Sequence, residues 1–316
     1  MKKPILKRIK TVVKDPWKIV VNLSHKNRFK WMKDEKYLKF TFRAKMHRKL
    51  DLNNPVTMNE KLQWLKLHDR KEFYNTIVDK YEVRSYIKKV LGEEYLVPLL
   101  GVWESFKEID FDALPDEFVL KTTHDSGGVV ICHDKKSFDI DKARKKLNKS
   151  LKNNYFYMGR EWPYKDIKPR IIAEAFMDAG NGTCPDDYKI LCFNGKPENI
   201  MVCTGRESGH VQYFFFDFDW HFLKYNYVDE LLPDDFTLPR PANLEKMYQI
   251  AEKLSEGIPL SRIDLYEING KTYFGEITLF PDSGFDNDIT YETDLLFGKK
   301  LNLPSSEEYN DNKKSR

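Results

Sequence analysis

Asn269–Gly270 separates two β-rich runs in the stretch SRIDLYEINGKTYFGEITLFPDSG, residues 261–284. Asn-Gly is the strongest short hairpin signal, because both positions of the tight turn require positive φ. Ile263, Leu265 and Tyr266 before it, and Tyr273, Phe274 and Ile277 after it, predict paired strands. Alternation along a strand puts Arg262 with Asp264 on one face, and Glu276 with Thr278 on one face. If those faces coincide, a guanidinium and two carboxylates meet at one point. Facing carboxylates repel unless a cation lies between them. Hard oxygen ligands suit Mg²⁺, which takes one or two carboxylates together with substrate phosphates. The competing reading is a surface hairpin with solvated charges.

The rest of the chain must surround this hairpin with a core. Its 316 residues, 41% of them hydrophobic, suffice for one large lobe or two smaller ones. Cys132, Cys184, Cys192 and Cys203 form no CxxC pair. Cys132 and Cys192 lie in apolar runs and are expected to be buried thiols, which suits a reducing, cytoplasmic setting. No apolar run is long enough to cross a bilayer, and no signal-peptide core is visible. The net charge of +4 hides an asymmetry. Residues 1–50 carry 17 Lys/Arg against 3 Asp/Glu, and the remainder is acidic. Such a basic arm favours anionic partners. Interspersed Ile5, Leu6, Ile9, Val12, Val13, Trp17, Ile19 and Val20 are partly at helical spacing. Two expectations stand for the arm: a helix on an anionic membrane surface, peripheral at the inner face, or a helix packed on the body. Nucleic acid is not the expected partner, since no RNP, KH or zinc pattern accompanies the charge.

In chain order, Thr57 and Glu60 have capping-box spacing and open a helix through Leu62, Trp64, Leu65 and Leu67. A second helix is predicted from Asp79 to Lys89, ended by Gly92. Tyr95 to Val102 reads as a strand interrupted by Pro98. Phe118–Lys121 and Val129–Cys132 read as strands joined by a polar loop containing Ser126, Gly127 and Gly128. Glycines let backbone N–H groups approach an anion, and Lys121 adds a point charge beside them; a plain turn is the alternative. Lys142–Leu151 reads as a solvated basic helix. Arg170–Met177 is a strand whose one carboxylate, Glu174, needs a partner or a ligand. Asp187–Phe193 is a strand containing Lys189, which attracts an anion, and Asn194–Gly195 starts a second hairpin. Glu198–Thr204 and Val211–Phe216 extend an antiparallel sheet, and Leu244–Leu254 is an amphipathic helix. Pro281–Gly284 is a turn beside the hairpin, and the polar tail from Ser305 is expected to be disordered.

Strand-Lys, glycine loop, strand; strand-Glu; strand-Lys; Arg-x-Asp, hairpin, Glu-x-Thr: this order resembles the ATP-grasp family. TMNEKLQWLKL, DKYEVRSYI, FVLKTTHDSGG, DYKILCFNGKP and FGEITLFPDSG resemble its TupA-like members, associated with teichuronopeptide and other bacterial surface-polysaccharide biosynthesis. The resemblance implies an α+β fold whose two lobes clasp ATP. It divides the chain into a basic helical arm (1–54), a TupA-like ATP-grasp domain (55–304) and the tail (305–316). It assigns Lys121 and Lys189 to the nucleotide phosphates, and Ser126, Gly127 and Gly128 to the mobile loop over them. It assigns Glu174 to the adenine amino group, with Ala175 and Phe176 giving backbone contacts to the ring. It makes Asp264 and Glu276 the Mg²⁺ ligands, and sets Arg262 beside the transferring phosphoryl. The segment from Pro281, with Asp282, Ser283 and Gly284, would receive the acceptor. Many members carry Asn where this chain has Thr278, a weaker third ligand.

The implied reaction is amide formation. A carboxylate attacks the γ-phosphate to give an acylphosphate and ADP, and an amine then displaces phosphate. The implied partners are a small amine or amino acid and a saccharide or peptide-like carboxylate. Such chemistry is mostly positioning and charge neutralisation and needs no side-chain nucleophile. Two other function classes stand against it. Asp217-Phe218-Asp219 is a DxD, a pattern with which glycosyltransferases hold a metal, although a turn at a strand end is the better explanation of it. A non-catalytic binding protein acting through the basic arm leaves Lys121, Lys189, Asp264 and Glu276 unexplained.

Overall fold

The structure, a computed structural model, describes residues 17–178, 185–205 and 210–304. Residues 1–16 of the arm, Cys184 and the tail from Ser305 lie outside them. Two antiparallel sheets organise the body. The smaller contains β1 (Leu99–Trp103), β2 (Phe118–Thr122), β3 (Val129–Cys132) and β4 (Ile171–Ala175), in the order β1-β4-β2-β3. The larger contains β5 (Asp187–Phe193), β6 (Lys196–Thr204), β7 (Gln212–Phe216), β8 (Phe222–Leu223), β9 (Leu260–Ile268) and β10 (Lys271–Thr278), in the order β10-β9-β5-β6-β7-β8. The mixture of helix and antiparallel sheet is the α+β architecture expected of an ATP-grasp fold.

Both Asn-Gly turns form as read. Asn194 and Gly195 have φ of 53° and 80°, and Asn269 and Gly270 have 51° and 72°. The second turn locks β9 to β10, and β5 lies between β9 and β6 with every residue buried. In β2 the period of two is visible in burial. Phe118, Leu120 and Thr122 are buried, and the first two pack with Ala143 and Leu147 of helix Ile140–Leu151. That helix is therefore not simply solvated: it buries Ala143, Leu147 and Ser150 against the sheet. The capping box at Thr57 and Glu60 opens helix Met58–His68.

Three boundaries differ from the sequence reading. Helix Val83–Val90 begins later than Asp79, because the Asp79 carboxylate accepts the Tyr81 and Glu82 N–H groups in a turn before it. Glu93–Tyr95 is a short 3-10 turn, and β1 starts only after Pro98, whose ring supplies no N–H to a ladder. β4 is shorter than Arg170–Met177.

From residue 17 onward, the arm packs on the body. Helix Asp34–Met46 buries Tyr37, Leu38 and Phe42 in a cluster with Leu50 and Phe285. The Tyr37 hydroxyl donates to the Met158 carbonyl at 2.7 Å, and Arg48 bridges Glu60 and Asp294. No helix among the described residues is long and apolar enough to cross a membrane. Because Phe42 is fully buried in that cluster, Phe42→Ala should lower the unfolding free energy by about 3–5 kcal/mol. Chemical denaturation measures it, and an unchanged midpoint would mean that this helix stands outside the cooperative fold.

Candidate active site

The hairpin register sets Arg262 opposite Thr278 and Asp264 opposite Glu276. A register shift between Phe274 and Glu276 falls at Gly275, where an added Cβ would lie 2.9 Å from the Asp264 carbonyl oxygen. Glycine is therefore what allows the two carboxylates to face each other. β5 adds Lys189, in register with Asp264. The Arg262 Nε and Nη2 donate to the two Asp264 oxygens at 2.7 and 2.9 Å, and Nη2 reaches Glu276 Oε1 and Thr278 Oγ1 at 3.3 Å each. Lys189 Nζ bonds Asp264 as well and lies 2.7 Å from Asp187.

Burial by itself would raise the Asp264 carboxyl, but Arg262 and Lys189 hold it below the usual carboxylate range. Burial would likewise lower Arg262 and Lys189, and Asp264 first among their neighbours lifts both above their ordinary values. Asp264 is buried, whereas the Glu276 side chain is 41% exposed. The cluster thus has a fixed inner carboxylate and an accessible outer one. With the Thr278 hydroxyl, the donors are all hard oxygens, the ligand chemistry that Mg²⁺ prefers.

On the small sheet, Lys121 Nζ lies 2.6 Å from Glu174 Oε2, and Arg84 Nη1 lies 2.8 Å from Glu174 Oε1. The charge inside β4 is therefore paired from both sides. The Ala175 N–H is spent on the Pro98 carbonyl at 3.0 Å, so any contact from Ala175 to a ring falls to its own carbonyl. Phe176 meets the His133 ring edge-on at 4.7 Å. In the loop between β2 and β3, Gly127 has φ 104° and open space around it, while a Cβ on Gly128 would strike Thr122 and Ser150. Lys80 links the sheets: its Nζ donates to the Asp125 carbonyl beside the glycines at 2.6 Å and lies 4.0 Å from Glu276 Oε2.

Asp282, Ser283 and Gly284 are three successive residues at positive φ, 46°, 56° and 62°. Helix Met58–His68 holds them with one polar stripe, Asn59, Gln63 and Lys66. Asn59 bonds the backbone of Asp286 from both ends of its amide. Gln63 Nε2 donates to the Ser283 and Gly284 carbonyls, and Lys66 Nζ to the Ser283 carbonyl and hydroxyl and the Gly159 carbonyl. The Ser283 hydroxyl donates to Glu161 at 2.6 Å. Ser283 and Gly284 thus face inward, and exposed Asp282 is the member turned to solvent. Lys45 lies 4.4 Å from the Phe285 ring centre; burial lowers its ammonium, and Glu161 and Asp282 oppose that. Tyr155 and Tyr164, with ring centres 4.9 Å apart, have phenols raised by burial and by Glu161 and Glu276.

The fold thus gathers Lys189, Arg262, Asp264, Glu276 and Thr278 at one point, pairs Lys121 with Glu174, and brings Asp282 within electrostatic range of Arg262 and Lys189. Lys45, Lys66, Lys80, Arg84, Tyr155, Glu161 and Tyr164 did not emerge from the sequence. One signal was available: Asn59, Gln63 and Lys66 recur at i, i+4 and i+7 on the helix that also carries Leu62 and Leu65. Asp217 and Asp219 do not join this site. They occupy the turn from β7 to β8, at the opposite sheet edge from β10, where they and His221 bring ligand atoms within 4.8 Å of one another.

The sequence matches the family model described as TupA-like ATPgrasp over residues 60–302. No curated protein matches it. Among solved structures, D-alanine–D-alanine ligase from Helicobacter pylori is similar at 16% identity, covering 77% of this chain and 69% of that one, with a TM-score of 0.43. The ligase of the same name from Bacillus anthracis is 14% identical, covering 71% of this chain and 63% of that one, with a TM-score of 0.40. This chain therefore spans under two thirds of the Bacillus anthracis ligase. D-cycloserine synthetase DcsG is 12% identical, covering 84% and 77%, also at 0.40.

Asp286, clamped by Asn59, has its carboxyl pushed up to about 7 by burial and then by Asp282. A carboxyl raised on folding favours the protonated folded state. Its contribution is present below the unfolded value near 4 and is lost as pH rises through about 7. Asp286→Asn should flatten the fall in stability between those limits, as thermal unfolding at a series of pH values would register; an unaltered profile would remove Asp286 from the titration.

Proposed function

The chain belongs to the TupA-like ATP-grasp family, and from that premise we propose that it is an ATP- and Mg²⁺-dependent ligase joining a carboxylate to an amine. Its setting is the assembly of a bacterial surface polysaccharide or teichuronopeptide-like polymer. It works in the cytoplasm, and the cations of residues 1–50 favour the anionic inner face of the membrane. One observation carries the reading: the Arg262–Asp264–Glu276–Thr278 cluster with Lys189 on the large sheet, joined through Lys80 to the glycine loop of the small sheet.

Each residue has a place in that chemistry. Lys121 and Lys189 neutralise nucleotide phosphates, and the N–H groups of Ser126–Gly128 approach them. Glu174, held by Lys121 and Arg84, orients the adenine. Asp264, Glu276 and Thr278 would hold Mg²⁺, which when bound neutralises charge between phosphate oxygens. The Thr278 hydroxyl also bonds Glu276 Oε1 at 3.3 Å and so orients that carboxylate. Arg262 stands beside the phosphoryl group as a substrate carboxylate attacks it and ADP departs. Asp282, with Lys45 and Tyr155 near it, faces the acceptor carboxylate, and a small amine then displaces phosphate from its acylphosphate to form the amide. The acceptor side takes a small amine or amino acid and a saccharide or peptide-like acid.

Glu276→Gln keeps size but removes the exposed carboxylate of the cluster, and should cut ADP release by about a hundredfold or more. Asp217→Asn and Asp219→Asn should leave it unchanged. The check is ADP release from folded variants with candidate acceptors. Normal turnover in Glu276→Gln with collapse in the Asp217 and Asp219 variants would transfer the chemistry to the DxD and a glycosyltransferase. Phosphate retained on the acceptor would make the protein a kinase instead.

A further inference from the structure

The glycine loop has a second side. On β2, Thr122 is turned toward helix Ile140–Leu151, where its hydroxyl lies 2.9 Å from Ser150 Oγ. The preceding residue, Lys121, points to the opposite face and meets Glu174. Behind the loop, on the Thr122 side, lies a cavity of about 580 Å³. Its walls are Ser126–Gly128, the end of that helix, and the arm around His25 and Lys26.

The charge there is one-sided. Lys26, Lys146, Lys149 and Lys152 line the cavity, with His25 beside them. The one carboxylate on the lining, Asp125, is buried, and the Thr122 and Ser150 hydroxyls donate to its two oxygens. Lys146 donates to the Val129 carbonyl at 2.6 Å, which does not neutralise it. Among the described residues, Lys26, Lys149 and Lys152 have no carboxylate partner. Several ammonium groups around one concave space create a positive potential that attracts an anion. In the loop that forms one wall, the space beside Gly127 is open.

We propose that this cavity is a second anion site, separate from the nucleotide site, that takes a phosphate-bearing ligand between the arm, the loop and the lysines of helix Ile140–Leu151. Lysine is a point-charge binder of phosphate, and a volume of about 580 Å³ lies within the range of small-molecule sites. The loop that would close over ATP forms one wall, so a ligand here acts on the same segment from behind. The phosphate can come from a soluble compound or from a lipid headgroup; both would present the same chemistry to the lysines.

Calorimetric titration of the full chain with inorganic pyrophosphate, in the presence of a saturating non-hydrolysable ATP analogue, tests the site. Binding should persist with the analogue bound, and Lys149→Glu/Lys152→Glu should weaken it by about tenfold or more. The milder Lys149→Gln/Lys152→Gln should weaken it less, and unchanged affinity for the analogue excludes misfolding. Loss of pyrophosphate binding when the analogue is present would fold the cavity into the nucleotide site and overturn the proposal. So would equal binding by wild type and both variants. If the chain takes no ATP analogue, the same titration without it still decides on the cavity, while the ligase reading fails separately. Co-sedimentation with phosphatidylglycerol vesicles, lost in the Glu variant, assigns the phosphate to a lipid; pyrophosphate binding without co-sedimentation assigns it to a soluble ligand.

Discussion

Asp264 is where the demands of folding and chemistry meet. A carboxylate on a strand buried between β5 and β10 would be costly alone, and Arg262 and Lys189 make it tolerable by bonding both of its oxygens. Removing one member of such a buried set typically costs about 3–5 kcal/mol, because the others are left uncompensated. The same arrangement holds a guanidinium and an ammonium in fixed positions before any substrate arrives. Preorganised charge of this kind acts at full strength because nothing has to rearrange at the moment of reaction. Glu276, across the hairpin and half exposed, is the member left accessible to a ligand.

A second constraint runs through helix Met58–His68. Three consecutive left-handed residues, two of them not glycine, are strained and persist only when their surroundings hold them. Asn59, Gln63 and Lys66 do so with hydrogen bonds to the backbone of residues 283–286, and buried Glu161 adds the Ser283 hydroxyl. The helix thus acts as a template for the loop, and the neighbouring positions Leu62 and Leu65 are buried in the main core. Loop shape is tied in this way to core stability. Lys80 connects Glu276 of the hairpin cluster to the glycine loop.

The arm belongs to the same assembly from residue 17 onward. Its hydrophobic residues were equally compatible with a membrane interface and with packing on the body, since amphipathic spacing fixes only that one face is buried. Phe285, which follows the left-handed run, supplies the partner surface for Tyr37, Leu38 and Phe42. Lys45, from the same helix, lies near Glu161 and Asp282. The arm therefore contributes both to packing and to the electrostatics around Glu161 and Asp282.

Local chemistry alone determined the two Asn-Gly hairpins, the Thr57–Glu60 capping box and the alternation along β2, because each depends on neighbours a few residues apart. It set Arg262 with Asp264 and Glu276 with Thr278, but an unbroken ladder from the turn would have paired Glu276 with Ile263, and the register shift at Gly275 is what brings the two pairs together. The order of those signals carried the family resemblance. Only the tertiary structure decided who neutralises whom. Glu174 finds Arg84, 90 residues away, and Lys189 finds Asp264, 75 residues away. The strand start after Pro98 and the delayed helix at Val83 likewise depended on how backbone groups were satisfied in three dimensions. Lys66 and Glu161 were invisible for the same reason. A buried lysine has no sequence signature of its own, since what holds it in place is a set of oxygens contributed largely by distant segments.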